Sequence, residues 1–123
     1  KRVIYADDLR LNRNIFRDNV GDFLREARIE GRIDLVNDGR ALVEAVRANN
    51  YDLVFTDNSM PVMFGLQAIE AIREFNLQVP IYLFSSRPVN QEVWESAGAT
   101  GFIERSMGVY GTRLKETVLQ HLR

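Results

Sequence analysis

The sequence predicts a doubly wound α/β fold, in which a five-stranded parallel sheet carries helices on both faces. Short apolar runs alternate with longer segments whose apolar residues recur at helical spacing. This alternation occurs five times within 123 residues, so we expect one domain spanning residues 1–123. The strand runs are nearly continuously apolar, which is typical of parallel strands covered on both faces.

The predicted strands and helices alternate from the amino terminus. Strands are expected at residues 2–6, 33–36, 52–56, 81–84 and 101–103, and helices at about residues 12–27, 41–49, 66–72, 90–97 and 114–122. The strand runs are rich in β-branched and aromatic residues. Apolar residues three and four positions apart predict each helix. In the first helix they are Ile15, Phe16, Val20, Phe23, Leu24 and Ala27.

Turn and cap residues mark the junctions between these elements. Asp38 and Gly39 provide a turn and a cap for the second helix, and Gly65 precedes the third. Pro80 begins the fourth strand, and Gly98 ends the fourth helix. These breaks fall where the apolar periodicity changes, so they support the same order of elements.

Composition excludes several classes of function. The chain has no cysteine, which removes disulfides, thiolate metal sites and cysteine nucleophiles. Its one histidine, His121, lies near the end and is assigned no role. The net charge is −1, and no apolar run approaches the ~20 residues of a membrane span, so we expect neither direct nucleic-acid binding nor membrane association. No signal peptide is visible, and a cytoplasmic location is expected.

Polar residues follow four of the five predicted strands. Asp7 and Asp8 follow the first strand, Asp57 the third, Ser85 the fourth and Arg105 the fifth. In a parallel sheet these ends lie along one edge, where ligands bind near the switch point. A single aspartate there is more often a helix cap or turn residue. Three carboxylates together repel one another unless a cation lies between them, which favours a hard ion such as Mg²⁺.

The chain resembles the receiver domain of two-component response regulators along almost its whole length. The residues that carry the resemblance are Asp7-Asp8, Asp57 with Met60-Pro61 and Gly65, the run from Pro80 to Ser85, Ala97-Gly98-Ala99, and the segment 37–42. The combination is specific, although each piece alone is weak. It implies a flavodoxin-like, receiver-type α/β fold.

The resemblance also implies a phosphorylation site. Asp57 would accept a phosphoryl group from a histidine kinase or a histidine phosphotransfer protein. Asp8 would bind Mg²⁺ directly, Asp7 would assist through water, and the backbone carbonyl of Ser59 would be a further ligand. Mg²⁺ would neutralise charge on both reactants, because a carboxylate is a poor nucleophile toward an anionic donor.

The resemblance further implies a switch that responds to the phosphoryl group. Ser85 matches the hydroxyl residue that moves to bond a phosphoryl oxygen, and Phe102 matches the aromatic residue that moves inward on activation. The output would be a downstream protein or a removed effector domain. Such a domain is not expected to be an enzyme beyond catalysing its own phosphorylation and dephosphorylation.

The sequence departs from the family pattern near the predicted site. Arg105 followed by Ser106 replaces the usual Lys-Pro pair. In one interpretation Arg105 substitutes for the lysine, since it is also cationic, but it is wider and prefers bidentate contacts, so it is not a simple replacement. In the other interpretation Arg105 points to solvent or pairs with Glu104. Both interpretations stay open here. Phe64 replaces the aspartate that, in the family, commonly precedes the glycine matched by Gly65. Its ring either packs locally or forms part of a surface that binds a partner.

Two other classes of function compete with a phosphorylated receiver. A degenerate receiver would act as a phosphorylation-independent interaction module, which the changes at Arg105, Ser106 and Phe64 favour. A phosphatase-like enzyme with an aspartyl nucleophile would usually need a second aspartate two residues later. That position is Ser59, which argues against the enzyme.

Overall fold

The computed structural model of the protein describes residues 1–105 and 111–123, so Ser106 lies outside the described residues. The strands are β1 (Arg2–Ala6), β2 (Arg32–Val36), β3 (Leu53–Thr56), β4 (Ile81–Ser85) and β5 (Gly101–Glu104). The helices are α1 (Arg10–Glu26), α2 (Gly39–Ala48), α3 (Gly65–Arg73), α4 (Gln91–Ala97) and α5 (Thr112–Leu122). Strand and helix alternate from β1 to α5, as predicted.

The five strands form one parallel sheet in the order β2-β1-β3-β4-β5. The order reverses between β1 and β3, where Ala6 pairs with Thr56. This is the switch point of a doubly wound sheet, the place where such folds bind ligands. The predicted fold class is confirmed.

Two apolar layers cover the two faces of the sheet. On one face, α2, α3 and α4 pack over a mainly aliphatic cluster that includes Leu42, Ile69 and Ile81. On the other, α1 and α5 pack over an aromatic cluster. Its fully buried rings are Tyr5, Phe16, Phe55 and Phe84. Each fully buried aromatic or aliphatic side chain contributes roughly 1.5–3 kcal/mol by leaving water, so these layers hold the strand ends in place.

Helix α1 begins at Arg10, two residues before the predicted start. Its N-cap residue, Leu9, has no side chain able to cap the helix. The Leu9 backbone N–H instead donates to Asp7 Oδ1 at 2.9 Å. A carboxylate two residues upstream therefore performs part of the capping, and the sequence pattern alone did not reveal this.

The predicted cap and stop signals of two helices are confirmed. Asp38 caps α2, since its Oδ1 accepts from the Ala41 N–H at 2.7 Å. Gly98 ends α4 with a φ of 103°, a left-handed conformation that favours glycine. Within the described ranges, no helix combines the length and the apolar character needed to cross a membrane.

Candidate functional site

Three carboxylates meet at the switch point. Asp7, Asp8 and Asp57 each offer an oxygen, and these oxygens lie within 4.8 Å of one another. Asp7 and Asp57 are buried, whereas Asp8 is exposed. The Asp57 N–H donates to the Ala6 carbonyl at 2.9 Å, which ties the end of β3 to the end of β1. The convergence predicted from strand ends agrees with this geometry, and a hard cation such as Mg²⁺ prefers such oxygen ligands.

The Arg105 side chain points into this acidic cluster. Its Nη1 lies 2.8 Å from Asp7 Oδ2 and 3.8 Å from Asp57 Oδ1, and the side chain is 11% exposed. The backbone N–H of Arg105 donates to the Ser85 carbonyl at 2.9 Å. This hydrogen bond fixes the position of the Arg105 backbone, from which the side chain extends. The guanidinium therefore lies beside the two buried aspartates, and its role there stays a prediction. A solvent-directed arginine is contradicted.

Asp7 accepts hydrogen bonds from several elements. Besides Leu9 and Arg105, the Tyr5 hydroxyl donates to its Oδ2, and Asn12 Nδ2 lies 3.1 Å from the same oxygen. Neither Tyr5 nor Asn12 was predicted as a site residue. The sequence could have indicated Tyr5 as a neighbour of Asp7, because residues two positions apart on an extended chain point to the same face.

The surroundings of Asp57 raise the pKa of its carboxyl above the ordinary value. Burial is the largest cause, and the negative charge of Asp7 adds to it. The charge of Arg105, the Asn58 N–H at 2.9 Å from Oδ1 and a hydrogen bond from Ser85 oppose the rise. A desolvated carboxylate that is only partly compensated is typical of a functional position.

An open cleft of about 230 Å³ leads to the buried carboxylate. The residues that line it are Asp8, Leu9, Asp57, Ser59, Ser85, Ser86, Arg87 and Arg105. Ser85 is buried and its Oγ accepts from the Arg87 N–H at 3.2 Å, so the hydroxyl lies between Asp57 and the β4–α4 turn. Ser59 is exposed at the cleft wall. Five of the predicted site residues thus share the cleft.

Phe102 lies apart from the cleft. It is half-buried in β5 and packs against the aliphatic cluster under α2, α3 and α4.

Phe64 is 56% exposed and borders a second cavity together with Arg87, whereas Met60 is buried in the core. The structure therefore places Met60 in packing and leaves the Phe64 ring open to solvent.

We expect Asp57→Asn to stabilise the metal-free protein at neutral pH, because burial raises the pKa of the Asp57 carboxyl above its ordinary value. A raised pKa means that the folded state binds the proton more tightly than the unfolded state. Ionised Asp57 therefore costs stability above its folded pKa, and the cost vanishes below the ordinary value of 3.8. The gain should shrink as pH falls from 7 toward 4 in urea unfolding with EDTA present.

The matched control is Asp18→Asn, because Asp18 is an exposed carboxylate on α1 whose side chain is 70% accessible. It should change the free energy of unfolding by less than about 0.5 kcal/mol at either pH. A destabilised Asp57→Asn protein, or a gain that does not depend on pH, would contradict the argument.

Several solved structures share the fold of this chain. The response regulator protein TrrA from Thermotoga maritima, in complex with Mg²⁺-BeF, superposes with a TM-score of 0.84 at 24% identity, covering 99% of both chains. TrrA in complex with the histidine kinase ThkA gives a TM-score of 0.83 at 24% identity, covering 100% of this chain and 99% of that one. At this identity the likeness establishes the fold alone.

The sequence comparisons establish the family. The two-component response regulator ORR41 of Oryza sativa subsp. japonica is 33% identical over 110 residues, which cover 86% of this chain and 84% of ORR41. The probable transcriptional regulatory protein NarL of Mycobacterium tuberculosis is 30% identical over 83% of this chain, which spans only 46% of NarL. The family model for the response regulator receiver domain matches residues 3–114. The chain belongs to the response regulator receiver domain family of two-component signalling.

Proposed function

We propose that this domain accepts a phosphoryl group on Asp57 from a histidine kinase or a histidine phosphotransfer protein, with Mg²⁺ bound, and thereby switches a partner-binding surface. One observation carries the proposal. Asp57 is buried beside two further carboxylates, a buried serine hydroxyl and a guanidinium, yet it lines an open cleft. A carboxylate that needed only burial or a helix cap would not require this combination.

The donor set fits Mg²⁺. Asp8 and Asp57 would bind it through carboxylate oxygens, the Ser59 backbone carbonyl would be a third protein ligand, and Asp7 would contribute through water. Oxygen ligands with several retained waters are the environment that this ion prefers. When bound, it supplies charge neutralisation between the carboxylate and an anionic phosphoryl donor.

The chain's own residues would position the reacting groups. An Asp57 carboxylate oxygen forms the new O–P bond while the P–N bond of a phosphohistidine breaks, and its electron pair stays on the imidazole nitrogen, which then takes a proton from solvent. The Asn58 N–H holds one carboxylate oxygen, which orients the nucleophile. Arg105 supplies a positive charge on the buried side of the site.

The product would carry new negative charge at the end of β3. Aspartyl phosphate carries about two negative charges where the ionised carboxylate carried one, and the Ser85 hydroxyl is a neutral donor at the end of β4 that can answer the added charge. Its movement toward a phosphoryl oxygen would pull on the β4–α4 turn. Phe102 on the neighbouring strand would respond by moving inward, and the altered face would bind a downstream protein or an effector domain.

The test is phosphorylation of the isolated chain by a small donor. With Mg²⁺ and acetyl phosphate, rapid quenching and intact mass measurement should show a gain of about 80 Da, one phosphoryl group. Asp57→Asn and a sample with EDTA should show none. Asp52→Asn is the matched control, because Asp52 precedes β3 at its opposite end and should retain the adduct. A control protein that loses the adduct, or an Asp57→Asn protein that keeps it, would contradict the assignment.

A second candidate is a phosphorylation-independent interaction module. It is favoured by the guanidinium of Arg105, which lies closer to Asp7 than to Asp57 and so already supplies the cluster with a cation. The same experiment, repeated with a phosphorylated histidine phosphotransfer protein as donor, separates the two. Absence of any adduct from either donor supports the interaction module and rejects the phosphoacceptor.

A further inference from the structure

The Tyr5 hydroxyl lies between Asp7 and Arg105. It donates to Asp7 Oδ2 and accepts from Arg105 Nη1 at 2.9 Å. Nη1 also donates to the same Asp7 oxygen at 2.8 Å. These three atoms form a closed triangle, in which the hydroxyl is both a donor to the carboxylate and an acceptor for the guanidinium.

The ring of Tyr5 is fixed by the aromatic cluster. Tyr5 is fully buried, stacks on Phe16 with a centroid distance of 4.3 Å, and meets Phe84 edge-on at 5.8 Å. Phe84 in turn lies 6.0 Å from the Arg105 guanidinium, and its carbonyl lies 3.4 Å from Nη1. A close-packed ring does not change rotamer to follow the guanidinium, so the hydroxyl sets where the guanidinium can lie.

The triangle draws Arg105 toward Asp7 and away from Asp57. The Nη1–Asp7 distance of 2.8 Å is that of a charge-assisted hydrogen bond, whereas 3.8 Å to Asp57 Oδ1 is too long for one. An arginine without the Tyr5 acceptor would be free to share its donors between the two carboxylates. Tyr5 therefore biases which carboxylate the cation serves.

Chain donors also occupy much of the hydrogen-bonding capacity of Asp7. A carboxylate has about four acceptor positions. Leu9 N–H, Asn12 Nδ2, Tyr5 Oη and Arg105 Nη1 all lie within 3.1 Å of its two oxygens. Three of these donors lie on Oδ2, so a metal-bound water that approaches this oxygen must displace one of them.

We propose that Tyr5 is a positioning residue that holds Arg105 on Asp7, so that the chain's own cation competes with Mg²⁺ for this carboxylate. The inference rests on the proposed function, because it concerns the same divalent-cation site, and it adds a determinant of how strongly that site binds the ion. Tyr5→Phe keeps the ring and its packing and removes only the hydroxyl. Asp7 then loses one donor, and Arg105 loses the acceptor that holds it there.

The experiment is calorimetric titration of the metal-free full chain with Mg²⁺ alone. Tyr5→Phe should bind Mg²⁺ about 3- to 10-fold more tightly than the parent, the effect of one net hydrogen bond. The matched control is Tyr51→Phe, whose hydroxyl donates to Asp34 at 2.7 Å and which precedes β3, at the end remote from Asp57. The control should leave Mg²⁺ affinity within twofold of the parent. An unchanged or weaker affinity in Tyr5→Phe overturns the inference.

A second variant tests whether Tyr5 acts through Arg105. In an Arg105→Met background, the added Tyr5→Phe change should alter Mg²⁺ affinity by less than about twofold, because no guanidinium remains to be positioned. An effect as large as in the parent background overturns the positioning role. If the parent binds Mg²⁺ and Tyr5→Phe binds it equally, the inference alone fails. If the parent, Tyr5→Phe and Arg105→Met all fail to bind Mg²⁺, the proposed function is wrong, and the inference that rests on it is wrong as well.

Discussion

Gly65→Ala is expected to destabilise the protein by about 1–3 kcal/mol, which is the range for forcing an atom into a filled space. A β-carbon at Gly65 would lie 2.1 Å from the Asp57 carbonyl oxygen and 2.9 Å from the Asn58 Cα. Both are backbone atoms, so no side-chain rotation relieves the overlap. The first turn of α3 must therefore move away from the end of β3.

The same displacement should impair the site. The Gly65 N–H donates to the Asn58 carbonyl at 2.9 Å, and Asn58 Oδ1 accepts from the Leu66 N–H at 3.0 Å. These contacts hold the chain immediately after Asp57, so moving α3 shifts the acceptor carboxylate. We expect a melting temperature lower by roughly 10 °C together with slower uptake of phosphoryl groups from acetyl phosphate.

Gly21→Ala is the matched control, since it makes the same chemical change in open surroundings. Its β-carbon would meet only Ile33 Cδ1, at 4.0 Å, and Gly21 lies inside α1. Alanine favours a helix interior over glycine by roughly 1 kcal/mol, so this variant should be more stable than the parent. Thermal melts that shift in the same direction for both variants would contradict the steric argument.

The contrast between these glycines shows which features the sequence could reveal. The sequence predicted that the third helix begins after Gly65, whereas α3 begins at Gly65 itself, and the contact of this residue with the Asp57 carbonyl depends on how β3 meets α3. The convergence of Asp7, Asp8 and Asp57 was predictable, because the strands of a parallel sheet all end along the same edge. Their roles as metal ligands and phosphoacceptor stay predictions.

The partners of Arg105 could not be predicted in the same way. Arg105 and Asp7 are 98 positions apart, and their contact depends on the register of β4 with β5 and on the buried Tyr5 hydroxyl. A sequence pattern fixes which strand end carries a residue, but not the direction of a long flexible side chain. The Tyr5 hydroxyl is the group that links Asp7 to Arg105, and in the sequence only the position of Tyr5 two residues before Asp7 indicated it.

Arg105→Met is expected to cost about 3 kcal/mol of stability in metal-free buffer, because removing one partner of a buried ion pair leaves the other charge uncompensated. Asp7 is fully buried and Asp57 nearly so, and the Arg105 side chain contributes positive charge to both. Methionine preserves most of the apolar stem, so the loss reports the charge and its hydrogen bonds. Urea unfolding in EDTA measures it.

Magnesium should restore most of this loss, and that recovery separates the electrostatic explanation from a packing defect. An ion at 100 times its dissociation constant stabilises the state that binds it by about 2.7 kcal/mol. The variant should therefore gain more from Mg²⁺ than the parent does, because its carboxylates have lost their competing cation. Arg40→Met is the control, since Arg40 forms an exposed pair with Glu44 at 3.3 Å and should change stability by less than about 1 kcal/mol, with or without Mg²⁺. If Arg105→Met gained no more from Mg²⁺ than the parent, the guanidinium and the metal would not share a carboxylate, and Arg105 would be a packing residue at the edge of the site.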